Sequence, residues 1–230
     1  PFPLIITPKQ NSSTEDFKKL AEKCFQDYRK KYIKYFNYNK RKVKGKKTML
    51  DTSPRVILVQ NVGLFSVGDS LNASKIAGDL TETNARVISS VEETTKYKFI
   101  PEKDLFDVEY WSLEQAKIKK PKKILQGNVV VITGGFGAIG TETYKLFKNY
   151  GAEVVLLDYN KKKVKEMQSK IKDLCLHCDV RNKNSVKKAF RIISEQYGGI
   201  DILISNAGTA IGGSIAEVDD RILRESFEDN

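Results

Sequence analysis

Along residues 12–36 the apolar positions Phe17, Leu20, Cys24 and Tyr28 recur every three or four residues, the spacing that lines up one face of a helix. Ser12 with Glu15 three residues later matches a capping box, so a long amphipathic helix is expected from there to about Phe36. Residues 37–54 lose the periodicity and carry Lys, Gly, Asn, Ser and Pro, which reads as an exposed loop. A short β-branched run at 55–60 predicts a strand, 63–68 a glycine-bearing turn, and Leu71–Glu92 a second helix. After Pro101 a shorter helix should take in Tyr110, Trp111, Leu113 and Ala116, and 117–123 reads as a charged linker with Pro121 as a stop.

From Gly127 the pattern changes to continuous apolar runs separated by helical stretches. Residues 129–132, 154–157, 174–180 and 200–205 have the composition of strands buried on both faces. Between them, 138–150, 160–172 and 184–197 have helical spacing, the first closing at Gly151. Such alternation predicts an α/β fold: a Rossmann-like, doubly wound parallel sheet, incomplete at its C-terminus, preceded by a smaller α/β or mainly helical region. The expected division is 1–120 as a connecting region, 121–127 as linker and 128–230 as the nucleotide fold. The sequence stops at Asn230 within a helical pattern, as expected of a piece of a longer polypeptide.

Composition narrows the setting. No apolar run approaches the roughly 18 residues of a membrane span, and the opening residues lack the basic flank of a signal peptide. Three cysteines, an odd number, fit a reducing and hence cytoplasmic compartment. Of 40 Lys and Arg, 25 lie in residues 1–127 against 15 acidic residues, while 128–230 hold 15 against 14, so the net charge of +11 belongs to the first part. Its peak, residues 29–47, has ten basic residues and no acidic one, with Tyr32, Tyr35, Phe36 and Tyr38 interspersed. That composition suits a polyanion, but such runs more often solvate a helix face and a surface loop. Lysine outnumbers arginine there, which disfavours bidentate base readout, and no nucleic-acid partner is expected.

The chemistry concentrates at the first strand-to-helix turn of the second part. Thr133, Gly134, Gly135, Phe136, Gly137, Ala138, Ile139 and Gly140 join strand to helix, where glycines let backbone approach a pyrophosphate and the helix start offers N–H groups to it. Asp158 ends the second strand 18 residues after Gly140, placed to accept bonds from an adenosine ribose or to cap the next helix. Tyr159 and Asn160 follow it rather than a basic residue, favouring NAD over its 2′-phosphorylated form, although residues 161–163 are all lysine. Cys175-Leu-His-Cys178 offers at most three ligands, and strand alternation puts Cys175 and His177 on one face and Cys178 on the other, so no metal site is expected.

The glycine motif, Asp179-Val180, and Asp201-Ile-Leu-Ile-Ser-Asn-Ala-Gly208 together resemble the short-chain dehydrogenase/reductase family. The resemblance implies that Asp179 bonds the adenine amino group with Val180 beside the ring. It also implies that Asn206, Ala207 and Gly208 support the sheet and line the cofactor site. Ala138 stands where the family usually has its middle glycine, and Ser205 where it usually has Asn. Residues 221–230 resemble the family's fourth helix, which makes Asn230 its structural catalytic asparagine; the family's Ser and Tyr-x-x-x-Lys lie farther along. The chain by itself is therefore expected to hold cofactor without turning substrate over.

Phe106-Asp-Val-Glu-Tyr-Trp-Ser-Leu-Glu-Gln-Ala-Lys117 is similar to the junction in bifunctional rhamnulose-1-phosphate aldolase/alcohol dehydrogenases, and 58–68 and 76–79 fit their connecting region. Aldol chemistry of that class needs a metal held by several histidines, whereas this chain has only His177, so no aldolase activity is expected of these residues. What the two resemblances imply is part of an NAD-dependent oxidoreductase for a small alcohol or hydroxy-aldehyde, lactaldehyde among them, and a homo-oligomer in its full-length form. The competing expectation is a non-catalytic module that binds NAD or a polyanion.

Overall fold

The computed structural model describes residues 2–118, 121–209, 214, 218–222 and 224, and divides into two compact units, Pro1–Lys122 and Lys123–Asn230. Among the described residues, no helix is long and apolar enough to cross a membrane.

The first unit contains β1 (Leu4–Ile6), α1 (Thr14–Asn39), β2 (Val56–Val59), β3 (Gly63–Ser66), α2 (Leu71–Glu92), α3 (Glu102–Glu109) and α4 (Ser112–Ile118). Its sheet runs β1-β2-β3, with β1 parallel and β3 antiparallel to β2. Two of these strands depart from the sequence expectation. The opening residues form β1 by pairing Leu4 to Ile6 with Ile57 to Val59, and Gly63–Ser66 is the second arm of a hairpin rather than a turn. The turn itself is Gln60 to Val62, with Asn61 at φ 63°, the left-handed conformation that Asn tolerates.

Helix α1 is capped one residue later than expected. Ser13 Oγ accepts the Asp16 N–H at 3.1 Å and donates to the Asp16 carboxylate at 2.6 Å, so the acid that pairs with the cap is Asp16 rather than Glu15, and it takes the cap's hydroxyl where a capping box takes its backbone N–H. The helix continues past Phe36 to Asn39 because its inner stripe continues: Tyr28, Tyr32, Tyr35, Phe36 and Asn39 are all buried. With Phe106 and Tyr110, the rings of Tyr28, Tyr32, Tyr35 and Phe36 form an aromatic core over Leu4, Ile6 and Val59. Within it the Tyr32 and Tyr110 hydroxyls lie 2.7 Å apart, and Tyr32 donates to Glu109 at 2.9 Å.

The basic run 29–47 thereby separates into two populations. Its aromatic members Tyr32, Tyr35 and Phe36 are interior, while its cations other than the half-buried Lys47 are exposed, Lys42 reaching over the exposed Tyr38 ring at 3.6 Å. The expected helix after Pro101 is two helices. Tyr110, fully buried, stops the first, and its carbonyl accepts Lys47 Nζ at 2.7 Å.

The second unit alternates β4 (Val129–Thr133), α5 (Ala138–Asn149), β5 (Glu153–Asp158), α6 (Lys161–Lys170), β6 (Cys175–His177), α7 (Lys183–Tyr197) and β7 (Ile202–Ile204). All four strands are parallel, in the order β6-β5-β4-β7. Successive residues of β4 serve opposite faces. Val129 and Val131, with Val155 and Leu157, pack under Ala189 and Ile193 of α7. Val130 and Ile132, with Val154 and Leu156, pack under Tyr144 and Phe147 of α5 and Val164 and Met167 of α6. Helices on both faces make this a doubly wound, Rossmann-like sheet, and burial of each Val, Ile or Leu contributes about 1.5–3 kcal/mol.

Strand β6 is shorter than the apolar run 174–180 because the chain turns out of the ladder after Cys178, the Asp179 N–H going to Ser185 Oγ at 3.1 Å. After β4 the chain steps outward through β5 and β6, then crosses back to β7 on the other side of β4. The strand order reverses there, and a crevice opens at the carboxyl ends of the strands.

Candidate functional site

Thr133, the last residue of β4, is a hub. Its hydroxyl accepts the Asn206 and Ala207 N–H groups at 3.0 and 2.9 Å, which pins the end of β7 to the start of the glycine loop. The Asn206 amide donates to the carbonyls of Thr133 and Gly134 at 3.0 and 3.1 Å. Gly134 sits at φ 61° and a Cβ there would meet Ala207 Cα at 3.0 Å, so conformation and space both require glycine. A Cβ at Gly140 would lie 2.3 Å from the Gly134 carbonyl, an impossible contact that lets the loop fold back against α5 only when residue 140 has no side chain. Gly137 is the N-cap of α5 without a side-chain bond, which leaves N–H groups of the first turn and the positive helix end open to an anion.

Asp158 closes this arrangement. Its carboxylate accepts Phe136 N–H at 3.1 Å on one oxygen and Asn160 N–H at 2.9 Å on the other, joining the glycine loop to the start of α6, and it is only 6% exposed. Asp158 is not the cap of α6: Asn160 is, accepting Lys162 and Lys163 N–H at 3.1 Å each. Each Asp158 oxygen keeps a second lone pair for a ligand hydroxyl.

The third element comes from the turn after β6. Asp179 accepts Arg181 Nε at 3.1 Å and Nη2 at 3.3 Å, and the guanidinium holds its carboxyl below the usual carboxylate range.

These groups surround a cavity of about 480 Å³, within the range of small-molecule sites. Of the residues singled out from sequence, Gly134, Gly137, Ala138, Ile139, Asp158, Tyr159, Asp179, Val180, Asn206, Ala207 and Gly208 line it. Thr133, Gly135, Phe136 and Gly140 lie behind that wall. Gly135 packs so closely on β5 that a Cβ would meet Leu156 at 2.8 Å. Asn230 lies outside the described residues. Sequence reasoning missed Lys163, Cys178, Arg181 and Thr209 as lining residues and gave Asn160 no place at the wall; the position of Arg181 directly after Asp179-Val180 was the available signal. Cys175 and Cys178 are free, buried, and belong to the packing clusters of opposite sheet faces. Burial pushes the Cys175 thiol up to about 11. Among the described residues no group of His, Cys, Asp and Glu could hold a metal ion.

Comparison with known proteins divides the chain in the same two parts. Residues 1–118 match the family model described as aldolase class II, second domain, and residues 128–230 match that of the short chain dehydrogenases. An uncharacterized oxidoreductase YuxG of Bacillus subtilis is 29% identical over 219 residues, covering 90% of this chain and 31% of that protein. Short-chain dehydrogenase reductase 3b of Arabidopsis thaliana is 40% identical over 89 residues, 37% of this chain and 35% of its own. This chain thus spans about a third of either relative. A short-chain dehydrogenase/reductase of Brucella melitensis, of the glucose/ribitol dehydrogenase type, superposes with a TM-score of 0.43 at 24% identity over 47% of each chain. The chain belongs to the class II aldolase second-domain family through residues 1–118, and joins to it a segment homologous to the short-chain dehydrogenases over residues 128–230.

Proposed function

We propose that this chain is the cofactor-holding part of an NAD-dependent oxidoreductase that acts on a small alcohol or hydroxy-aldehyde. The observation that carries the reading is the pairing of a side-chain-free loop at a helix start with a buried carboxylate, Asp158, on one cavity wall. The cavity fits a dinucleotide on its own chemistry. Gly134 and Gly140 clear the space that a Cβ would fill, and the first turn of α5 presents N–H groups where a pyrophosphate needs them. Gly137, Ala138 and Ile139 would hold the pyrophosphate, Asp158 the adenosine ribose, and Asp179 with Val180 the adenine. Asn206, Ala207 and Gly208, fixed by Thr133, would support the opposite end. Bound NAD supplies the hydride acceptor.

NAD is preferred to its 2′-phosphate form because a phosphate beside the Asp158 carboxylate meets like charge. Lys163 on the same wall softens that repulsion without removing it. Lactaldehyde is the substrate we favour, supported by the pairing of an aldolase-related segment with a dehydrogenase segment in one chain. The free thiols support a reducing, cytoplasmic setting, and we expect the full-length protein to be a homo-oligomer. Calorimetric titration with each cofactor tests the preference. NAD is expected to bind at about micromolar affinity, and its 2′-phosphate form at least about tenfold more weakly. Equal or reversed affinities would refute the assignment to Asp158.

A further inference from the structure

The outer side of α1 has a row of charge that neither the core nor the cavity uses. Lys19, Lys23, Gln26, Lys30, Lys34 and Asn37 recur every three or four residues, all exposed, opposite the buried stripe of Tyr28, Tyr32, Tyr35 and Asn39. They form a straight ridge about 27 Å long. It runs on into the turn after the helix, residues 40–46, where five more cations are exposed. Between Arg29 and Lys46 there are nine exposed cations and no carboxylate. The acidic residues of α1, Glu15, Asp16, Glu22 and Asp27, all precede that stretch. Among the described residues, only Asp27 reaches one of its cations, Lys30 at 3.9 Å.

The ridge is held from behind. Phe17, Leu20, Cys24 and Phe25 pack against the aromatic core. The turn is strapped at its far end by Lys47 Nζ on the Tyr110 carbonyl at 2.7 Å and by the Thr48 and Gln115 pair of bonds at 2.7 and 3.1 Å. Two ordinary reasons for cations on a helix do not account for the row. The last turn of α1 has no basic residue, so the row does not serve the helix dipole. Lys19 with Lys23, and Lys30 with Lys34, stand four residues apart, a like-charge spacing that destabilises a helix.

Shape and residue type decide the partner. The ridge is the convex side of a helix, so its side-chain tips reach one plane together. A flexible polymer laid along it would first have to be ordered, at a cost in entropy. Lys42 covers a face of the exposed Tyr38 ring, and only two of the nine cations are arginine, which leaves little for base stacking or bidentate readout. The headgroups of an anionic bilayer are already assembled in a plane, and they attract polybasic segments of this size.

We propose that the outer ridge of α1 and the turn after it dock on an anionic lipid surface, by charge and without insertion. Flotation of the full 230-residue chain with vesicles tests it, using phosphatidylcholine alone and phosphatidylcholine with about a third phosphatidylserine, at about 0.1 M salt. Anionic vesicles are expected to bind at least about tenfold more tightly than neutral ones, and to release the protein at about 1 M salt. The triple variant Lys30→Glu, Lys34→Glu, Arg41→Glu should weaken that binding by about tenfold or more. Lys183→Glu, Lys187→Glu, Lys188→Glu, the same change of net charge at exposed positions of α7, should stay within about twofold of the unaltered chain. Equal losses in the two triples would show that net charge alone is at work and overturn the ridge as the docking face. Absence of any preference for anionic vesicles would overturn the proposal outright. A single-stranded oligonucleotide that strips the protein from the vesicles at equal phosphate concentration would assign the ridge to nucleic acid instead and overturn the lipid. Circular dichroism checks that α1 survives the reversals. If it does not, glutamine at the same three positions replaces them, with an expected loss of about threefold or more, and unchanged binding would overturn the proposal.

Discussion

The two units solve the problem of a core with different materials. The first packs aromatic rings against one face of a three-stranded sheet, Phe106 and Tyr110 stacked at 4.5 Å, and turns its polar groups inward, hydroxyl to hydroxyl and hydroxyl to Glu109. The second sandwiches Val, Ile and Leu of a parallel sheet between helices on both faces, and its polar groups gather at the rim, where the strands end. The consequence is functional. Hydroxyls turned into a core are shut off from any ligand by burial, whereas loop N–H groups and carboxylates at a sheet's carboxyl edge face an opening.

The contrast breaks most completely if each unit is damaged at its own centre. Phe106→Ala removes a 1% exposed ring from the aromatic core and should cost about 3–5 kcal/mol, read as a lowered unfolding midpoint. The same variant should leave dinucleotide affinity unchanged; loss of binding would show that the units do not work separately. Gly140→Val does the reverse. Its Cβ would fall 2.3 Å from the Gly134 carbonyl, so affinity should drop by about 100-fold or more while the near-ultraviolet signal of the aromatic unit persists.

Alkaline pH separates the units more gently. Burial, the leading cause, raises the phenols of Tyr28, Tyr32, Tyr35 and Tyr110 in the first unit, Tyr28 to about 12. A raised phenol means that the folded state favours the neutral form. The stability it contributes is complete below the unfolded value of about 10 and is lost as pH climbs from there through the folded value. The second unit has such phenols in Tyr144 and Tyr197. Tyrosinate absorbance followed beside circular dichroism should therefore show the aromatic unit giving way first above about pH 10. The smallest expected effect is on thiols. Cys24 is partly exposed, whereas Cys175 and Cys178 are 1% and 2% exposed, so a disulfide reagent should modify Cys24 at least about tenfold faster. Equal rates would mean that the second unit opens readily.

The same contrast explains what could be read from sequence. Strands buried on both faces are uniformly apolar, so Val129 to Ile132 and Val154 to Leu157 announce themselves, and the glycine loop lies between a strand and a helix that are both visible. In the first unit, β1 and β3 are too short to show a period. Leu4 to Ile6 become a strand only by pairing with residues some fifty positions away, and Gly63 obscures β3 as a turn signal. The exact cap of α1 turned on whether Ser12 or Ser13 took the role, a one-residue choice that pattern does not resolve. At the site, the identity of Asp158 was legible but its two backbone partners were not, because they depend on how the loop folds back. The bond from Arg181 to Asp179 was hidden for the same reason: the turn after β6 brings residues two apart into a fork.

The central claim is that the glycine loop, Asp158 and the turn after β6 form one dinucleotide cradle. Amide nuclear magnetic resonance spectra of the isotopically labelled chain, recorded with and without NAD, test it residue by residue. The account predicts shifts concentrated at Gly137, Ala138 and Ile139, at Asp158 and Tyr159, and at Asp179 to Arg181, with the amides of Tyr28 to Phe36 unmoved. Shifts centred on the basic run 29–47 instead, or none anywhere at millimolar NAD, would contradict it.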